Sequence, residues 1–332
     1  MSRIVGIPRG LFFYRFYTFW KSFFDSLGVS TVVSAPSNKA ALDLGISLCV
    51  SEACLPVKLY HAHAEELKEK AEFIFVPRFV SLSKNEYICP KLIGLPDMLR
   101  GSLKAIPKII DVEVNLFRSA KGAFSAALKT GEFLGCSSKR IRQAYLSAQQ
   151  SYTEFKQKLH SGLIPVDLAE ERWEEPQGHG LKILLLGHSY NVYDSFLNMG
   201  IIERIKEMGG DVTTPEMMRA KAIRQHSGWL NKPLFWEYGS RALGCIYETI
   251  GRADIDGVIY LTCFGCGIDS FVCAMAERRI RRHTDLPFIT ITLDEQSGRA
   301  GMGTRIEAFM DTLNWRRNGN NLSTHGQRSY MH

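Results

Sequence analysis

The sequence predicts an α/β protein of two domains, each with a mostly parallel sheet. Three observations support this prediction. Short apolar segments of strand length alternate with longer helical segments along nearly the whole chain, which is the pattern of parallel α/β folds. The alternation is interrupted once, over residues 162–180, where prolines, glycines and glutamates replace the apolar pattern. A chain of 332 residues also has the length of about two domains.

The first domain is predicted over residues 1–161. Gly28 ends its first helix, because glycine readily adopts the backbone conformation that follows a helix C-terminus. Ser37 is the expected cap of the second helix. The predicted strands are residues 3–7, 30–34, 73–76 and 108–114, and the main predicted helices are residues 14–27, 38–46 and 138–160.

The second domain is predicted over residues 181–316, after a linker at residues 162–180. It opens with the uninterrupted apolar run of residues 182–186, which is typical of a buried strand in a parallel sheet. Residues 317–332 are polar and glycine-rich, so we expect a disordered tail. The other predicted strands are residues 211–213, 257–262 and 287–292, and the predicted helices are residues 195–208, 222–249, 270–282 and 301–316.

Composition narrows the class of protein. The apolar and charged fractions, 45% and 23%, are those of ordinary globular proteins. The net charge of +7 suits an anionic partner or ligand, such as a nucleotide, a coenzyme A thioester or an acidic protein. The N-terminus predicts a strand rather than a signal peptide, and no apolar run approaches the roughly 20 residues of a membrane span. We therefore expect a cytoplasmic protein that binds neither membranes nor nucleic acid.

The chain contains eight cysteines, and the cytoplasm keeps thiols reduced, so a disulfide framework is not expected. Four of them lie in apolar or helical segments, where a cysteine is most simply a small buried hydrophobe; these are Cys49, Cys136, Cys245 and Cys273. The other four lie in loops or at the ends of predicted elements, where metal binding or catalysis is open to them; these are Cys54, Cys89, Cys263 and Cys266.

Cys54 and Cys89 are each followed closely by a proline. Pro56 favours the first turn of a helix, so the Cys54 thiol is expected near a helix N-terminus, where the macrodipole stabilises a thiolate. Lys58, one turn later, adds positive charge. Cys89 begins a Cys-Pro-Lys sequence in a loop soon after a strand. Its thiol therefore also has a proline and a lysine close by in the chain, as Cys54 does.

Cys263 and Cys266 form a Cys-x-x-Cys motif between a predicted strand and a predicted helix. The carboxyl end of a strand is where ligands bind in parallel α/β sheets. Gly265 and Gly267 let the backbone approach a bulky inorganic ligand. A motif of this kind alone is also compatible with a redox-active dithiol or with half of a zinc site.

Zinc and iron–sulfur chemistry make different demands on these residues. A structural zinc site usually takes two close ligand pairs. His61 and His63 could supply the second pair, but they adjoin a lysine- and glutamate-rich segment that indicates a solvated helix face, which we favour. Thiolates from separated loops suit an iron–sulfur cluster, which prefers sulfur donors in a partly dry pocket. A redox dithiol would leave Cys54 and Cys89 unexplained.

Three polar residues are candidate catalytic groups. Glu52 lies two residues before a loop cysteine, and it is either a proton carrier beside a bound group or a surface carboxylate. His188 and Tyr190 directly follow the buried strand of residues 182–186. We expect them to line the cleft between the domains as proton donors.

These segments together resemble the 2-hydroxyacyl-CoA dehydratase D-component superfamily, and within it the activase-related branch that is like double-cubane cluster proteins. The resemblance extends over nearly the whole chain, and no single piece is specific alone. The matching pieces are GIPR (residues 6–9), SEACLPVK (51–58), ICP (88–90), GHSYNVYD (187–194), FGCGIDS (264–270), DE (294–295) and TRIEAF (304–309).

The resemblance implies two Rossmann- or flavodoxin-like domains with an iron–sulfur site in the interdomain cleft. It implies either a 4Fe-4S cluster or a double-cubane 8Fe-9S cluster, with three cysteine ligands per site, Cys54, Cys89 and Cys266. Cys263 departs from the family pattern, and it is a fourth ligand, a substitute for Cys266 or a bystander. With Gly265 and Gly267 it completes the expected cofactor-binding set.

The resemblance further implies radical dehydration of a 2-hydroxyacyl-CoA, or another difficult reduction, in an anaerobic setting. Low-potential electrons would come from a separate ATP-hydrolysing iron–sulfur activase, since the chain has no phosphate-binding loop of the Gly-x-x-x-x-Gly-Lys-Ser type. A homodimer, or a pair with a related subunit, is expected. Two alternatives stay open: a cluster-binding scaffold or maturation protein without turnover, and a non-catalytic zinc or thiol protein.

Overall fold

The computed structural model describes residues 3–225, 234–252, 254–296 and 298–318. Its strands are β1 (Ile4–Ile7), β2 (Ser30–Val33), β3 (Phe73–Phe75), β4 (Arg78–Ser81), β5 (Lys108–Ile110), β6 (Glu113–Asn115), β7 (Ile164–Asp167), β8 (Arg172–Glu174), β9 (Leu181–Leu186), β10 (Gly210–Thr213), β11 (Gly257–Cys263) and β12 (Phe288–Leu293). Its helices are α1 (Phe13–Ser26), α2 (Lys39–Leu48), α3 (Leu55–Glu66), α4 (Pro90–Ile93), α5 (Leu95–Ser102), α6 (Lys121–Phe133), α7 (Ser138–His160), α8 (Ser189–Tyr193), α9 (Ile201–Glu207), α10 (Ala220–Gln225), α11 (Glu237–Ile250), α12 (Gly267–His283) and α13 (Arg299–Arg317).

Two four-stranded sheets form the frame, and both are entirely parallel. The first has the order β2-β1-β3-β5 and the second the order β10-β9-β11-β12. In the first sheet β1 lies between β2 and β3, and in the second sheet β9 lies between β10 and β11. This is one of the two common strand orders of doubly wound folds. β4 and β6 pair in parallel, while β7 and β8 are antiparallel. The predicted α/β class with mostly parallel sheets is confirmed.

The apolar core extends between the two large sheets. One cluster of buried side chains includes residues from β1 and β3 of the first sheet and from β9 and β11 of the second. The aromatic helix α1 contributes much of it, because Phe23 and Phe24 are fully buried and the Trp20 ring lies 4.5 Å from that of Phe75, measured between ring centroids. A second buried cluster lies entirely in the C-terminal half.

The segment predicted as a linker, residues 162–180, contains β7 and β8. An ion pair joins this segment to the start of the chain, since the Arg9 guanidinium donates to both Asp167 oxygens at 3.1 and 3.2 Å. Burial alone would raise the pKa of Asp167, but the hydrogen bond and the charge of Arg9 hold it below its usual value. The division of the chain into domains at residues 161 and 181 stays a prediction.

Three local predictions differ from the structure. The segment predicted as one strand over residues 108–114 forms β5 and β6, which belong to different sheets. The helix predicted over residues 195–208 begins only at Ile201, because Met199 and Gly200 have φ of +59° and +74°. Asn38 caps α2 in place of Ser37: the Ala41 N–H donates to its side-chain oxygen at 2.9 Å.

In the described parts of the chain, no helix has both the length and the apolar character required to cross a bilayer. Most of the tail predicted over residues 317–332, from residue 319 onward, lies outside the described residues. The same is true of residues 226–233 within the helix predicted over residues 222–249.

Gly45 sets the close approach of α2 and α3. A Cβ at this position would lie 2.3 Å from the backbone oxygen of Lys58, so Gly45→Ala must push the two helices apart. We expect a loss of about 1–3 kcal/mol in the free energy of unfolding, the usual cost of overpacking. The matched control is Gly101→Ala in α5, where a Cβ meets nothing within 4 Å. Urea denaturation of both variants checks this, and equal stabilities would contradict it.

Candidate functional site

The three cysteines expected to bind a cluster share one local structure, since each is the N-cap residue of a helix. Cys54 precedes α3, Cys89 precedes α4 and Cys266 precedes α12. A proline in the first turn favours the start of α3 and of α4, because it fixes a helical φ where a missing N–H costs nothing. Before α12 the chain turns at Gly265, whose φ of +79° favours glycine. Gly267 has open space around the position of a Cβ.

The three thiols lie near enough to one another to shift each other's pKa. Burial raises the pKa of Cys54, and the nearby Cys89 thiolate would raise it further. Burial and Asp269 raise the pKa of Cys266 to about 12, with further contributions from Cys54 and Cys89. Such mutual effects require the groups to lie near one another. Cysteines 212 and 177 residues apart in the chain therefore lie in one half-buried region. We call Cys54, Cys89, Cys266 and their immediate surroundings the pocket.

The charge around Cys54 differs from the prediction. The backbone N–H of Val57, in the first turn of α3, lowers the pKa of the thiol, but burial outweighs it. The thiolate that the helix N-terminus was expected to favour is therefore disfavoured before a metal binds. Lys91 is the cation with the largest effect on Cys54. Lys58 is buried and its ammonium donates instead to Ser51 and to the Glu295 carboxylate.

Cys263 lies beside the same pocket. It is buried, and its Sγ donates to the Asn191 Oδ1 at 3.2 Å. Burial raises the pKa of Cys263 well above its usual value, and Cys54 adds to this effect. In this arrangement Cys263 is a protonated hydrogen-bond donor, and a metal ligand role would require it to leave Asn191.

The predicted His188 reaches this pocket from the neighbouring strand. β9 and β11 pair side by side, with Leu186 opposite Tyr260, at the point where the strand order of the second sheet reverses. Ligands of doubly wound sheets bind at such points. A His188 ring nitrogen, the Cys266 sulfur and an Asp269 oxygen all lie within 4.8 Å of one another.

Two tyrosine rings hold the His188 ring by stacking. Its centroid lies 4.8 Å from that of Tyr190 and 3.5 Å from that of Tyr238. Burial lowers the pKa of His188 to about 3, against the opposing charge of Glu237, so the imidazole is neutral and has a free lone pair. Burial, Cys54 and Cys266 raise the pKa of Tyr190, so its phenol stays protonated beside the thiols.

Asp269 and Tyr238 were not among the predicted site residues. Asp269 is fully buried, and its Oδ1 accepts a hydrogen bond of 2.6 Å from the Tyr260 hydroxyl. Burial raises the pKa of Asp269 to about 7, against the hydrogen bonds. One signal for Asp269 was present in the sequence, because a residue three positions after Cys266 in a helix lies on the same face.

Other predicted groups lie elsewhere. Glu52 is exposed, and it is the backbone oxygen of this residue that accepts a hydrogen bond from Lys91 at 2.9 Å. The interpretation of His61 and His63 as part of a solvated face is wrong, because each is only 1% exposed. His61 bonds its own helix at the Val57 oxygen. Among the described residues, neither histidine belongs to a group of three or more close metal-ligand side chains.

Comparison with known proteins gives two overlapping family matches. Residues 4–218 match the family model described as CoA enzyme activase uncharacterised domain (DUF2229). Residues 167–313 match the model described as 2-hydroxyglutaryl-CoA dehydratase, D-component. The first match contains Cys54 and Cys89, the second contains Cys266 and Asp269, and His188 lies in both. A search of curated proteins finds no match.

Proposed function

We propose a function from the premise that the chain belongs to the family of the CoA enzyme activase uncharacterised domain (DUF2229). Its C-terminal part matches the 2-hydroxyglutaryl-CoA dehydratase D-component, a family generally linked to iron–sulfur clusters. The resemblance to this superfamily is confirmed. The proposed function is to hold an iron–sulfur cluster on Cys54, Cys89 and Cys266 and to use it for electron transfer.

The convergence of three thiols at three helix starts is the observation that supports this proposal. Iron–sulfur clusters take thiolate ligands, and all three cysteines are free of disulfides. Their sulfurs are partly buried, as a cluster protected from water requires. The N-termini of α3 and α12 also point positive dipole ends at a place where bound thiolates and sulfides bring negative charge.

The surrounding residues have separate roles in this proposal. When bound, the cluster supplies transfer of single electrons at low potential. The protonated Tyr190 phenol would be a hydrogen-bond and proton donor to the bound group, and neutral His188 would be a proton acceptor. Lys91 offsets part of the negative charge of the thiolates. Hydrogen bonds, charge and burial of this kind set the potential of a metal site.

The reaction we propose is a radical dehydration of a 2-hydroxyacyl-CoA type of substrate, or another difficult reduction. The net charge of +7 suits the anionic coenzyme A group. Electrons would come from an ATP-hydrolysing iron–sulfur activase. The cluster is either 4Fe-4S or one that two chains share as a double-cubane 8Fe-9S assembly, in which case the protein works as a homodimer or with a related subunit.

Anaerobic reconstitution tests the cluster directly. We expect the purified chain to take up iron and acid-labile sulfide, about four of each per chain, and to turn brown. Both cluster types give about four irons per chain, so EPR spectra of the reduced protein, read together with its oligomeric state, separate them. A colourless, iron-free protein after reconstitution would contradict the proposal. Transfer of the cluster to an apo-acceptor, without turnover, would identify a scaffold instead.

A further inference from the structure

We propose that His188, Cys266 and Asp269 form a binding site for a single divalent ion of the zinc class. This site is distinct from the three-cysteine set and shares only Cys266 with it. Three donor atoms of different chemistry, a nitrogen, a sulfur and a carboxylate oxygen, lie within 4.8 Å of one another. No other group of three or more such side chains meets the same distance in the described residues.

The distances favour one shared ion. Zinc bonds are about 2.0–2.1 Å to nitrogen and about 2.3 Å to sulfur, so two ligands of one tetrahedral ion lie about 3.5 Å apart. Side-chain movements of about 1 Å would bring the three donors to that spacing. Ligands of a multi-iron cluster bind different irons and lie farther apart, so this group does not fit the pattern of three cluster ligands.

The ligands are held in place by groups around them. The His188 ring stacks with the rings of Tyr190 and Tyr238. The Asp269 carboxylate is fully buried and accepts a hydrogen bond from Tyr260. Supporting contacts of this kind orient the ligands of protein metal sites. The position at the ends of β9 and β11 also matches where parallel sheets bind ligands.

The donor set selects the class of metal. Mg²⁺ and Ca²⁺ take oxygen ligands almost exclusively, whereas a mixed set with imidazole and thiolate suits zinc and similar transition metals. Three protein ligands leave the fourth tetrahedral position open, as in catalytic zinc sites.

Sharing of Cys266 has a consequence that rests on the proposed function. One sulfur cannot complete both sites in the same molecule, so zinc and the cluster would exclude each other. Zinc bound before reconstitution is therefore expected to slow the uptake of iron, and removal of zinc by a chelator is expected to restore it.

Zinc titration of the cluster-free protein tests the site itself. The chain is kept reduced and anaerobic, and Zn²⁺ binding is followed by isothermal titration calorimetry. We expect one ion per chain at this site. His188→Ala and Asp269→Asn each lower the affinity by at least about 100-fold, beyond the 10- to 100-fold typical of losing a second-shell contact. Cys54→Ser and Cys89→Ser are the matched controls and keep the affinity within about threefold.

Co²⁺ provides a second readout. It should give a thiolate-to-cobalt charge-transfer band that Cys266→Ser removes and that Cys54→Ser keeps. Asp269→Asn preserves the size of the side chain, so it reports on the ligand even where His188→Ala fails to fold. Zinc affinity that is lost in Cys54→Ser or Cys89→Ser but unchanged in Asp269→Asn would overturn the proposal, because zinc would then occupy the three cysteines.

The two proposals fail separately. Cys136→Ser and Cys245→Ser, which lie outside both sites, should keep both the uptake of iron and sulfide and the affinity for zinc. A chain that binds zinc with the expected variant pattern but never takes up iron would refute the cluster and leave the zinc site. A chain that takes up iron, but whose zinc affinity is unchanged by His188→Ala or Asp269→Asn, would refute the zinc site and leave the cluster.

Discussion

Cys54→Ser, Cys89→Ser and Cys266→Ser are each expected to lose most or all of the iron that the wild-type chain takes up on anaerobic reconstitution. A serine hydroxyl does not ionise in the pH range in which a thiol does. It is also a hard oxygen donor, whereas iron–sulfur clusters take soft sulfur ligands. Each chain offers three converging cysteines, so a single loss leaves two. Iron and acid-labile sulfide per chain, with the visible absorption spectrum, measure the effect.

The matched controls are Cys136→Ser and Cys245→Ser. Cys245 is fully buried in the second apolar cluster, and Cys136 lies just before α7. Both variants should keep the iron of the wild type, so a general loss of thiols or of folding can be told apart from the loss of a ligand. Full iron retention in Cys54→Ser would remove the central assignment.

Cys263→Ser separates the alternatives that the sequence left open. If Cys263 is a fourth ligand, its serine variant should lose iron as the other three do. If it only lies beside the cluster, the serine hydroxyl can replace the thiol as the donor to Asn191, and iron should be retained. The same reconstitution assay therefore decides the role of the extra thiol.

Much of the frame could be predicted because it depends on local signals. Alternating apolar and helical segments predicted the parallel sheets, and Pro56 predicted a helix start just after Cys54. Cys266 was correctly expected between a strand and a helix. Cys89 was predicted only as a loop residue, and the single turn of α4 that it caps was missed. A helix of four residues has almost no periodicity to detect.

The chemistry inside the pocket depended on contacts that no local pattern contains. Lys58 follows Cys54 by one turn, yet it pairs with Glu295, which is 237 residues away. Tyr238 stacks on His188 although 50 residues separate them. The spacing of three residues between Cys266 and Asp269 is visible in the sequence. The burial of Asp269 is not, because it depends on the contact with Tyr260 in the preceding strand.

α3 shows why the two histidines were misinterpreted. All ten residues from 55 to 64 are buried, so the helix has no polar face and its sequence gives no amphipathic signal. A lysine- and glutamate-rich continuation then suggested solvent. In the structure His63 bonds the Ser37 hydroxyl at 3.0 Å, and burial lowers the pKa of His63 to about 4.

Glu237→Gln is expected to lower the free energy of unfolding by about 3 kcal/mol, near the lower end for a broken buried ion pair. The Arg15 guanidinium donates two hydrogen bonds to the Glu237 carboxylate, at 2.8 and 3.2 Å. Their side chains are 17% and 9% exposed, so the variant leaves a largely buried cation without its counter-ion. Urea denaturation near pH 7 measures the loss.

An exposed ion pair provides the control. Lys39 and Asp43 are paired at 2.7 Å, but their side chains are 71% and 57% exposed. Asp43→Asn should change the free energy of unfolding by less than about 0.5 kcal/mol, as is usual for exposed helix pairs. The double variant Arg15→Met/Glu237→Leu should recover most of the loss, because apolar residues can replace a buried pair at little cost.

The effect should also depend on pH in one direction. Burial alone would raise the pKa of Glu237, but the charge of Arg15 holds it below its ordinary value. A carboxyl with a lowered pKa stabilises the fold above its unfolded pKa of about 4.3, and this contribution is lost as the pH falls through the folded value. The difference between wild type and Glu237→Gln should therefore be largest near neutral pH and shrink in acid. A difference that grows as the pH falls would show that the pair is not what stabilises this contact between α1 and α11.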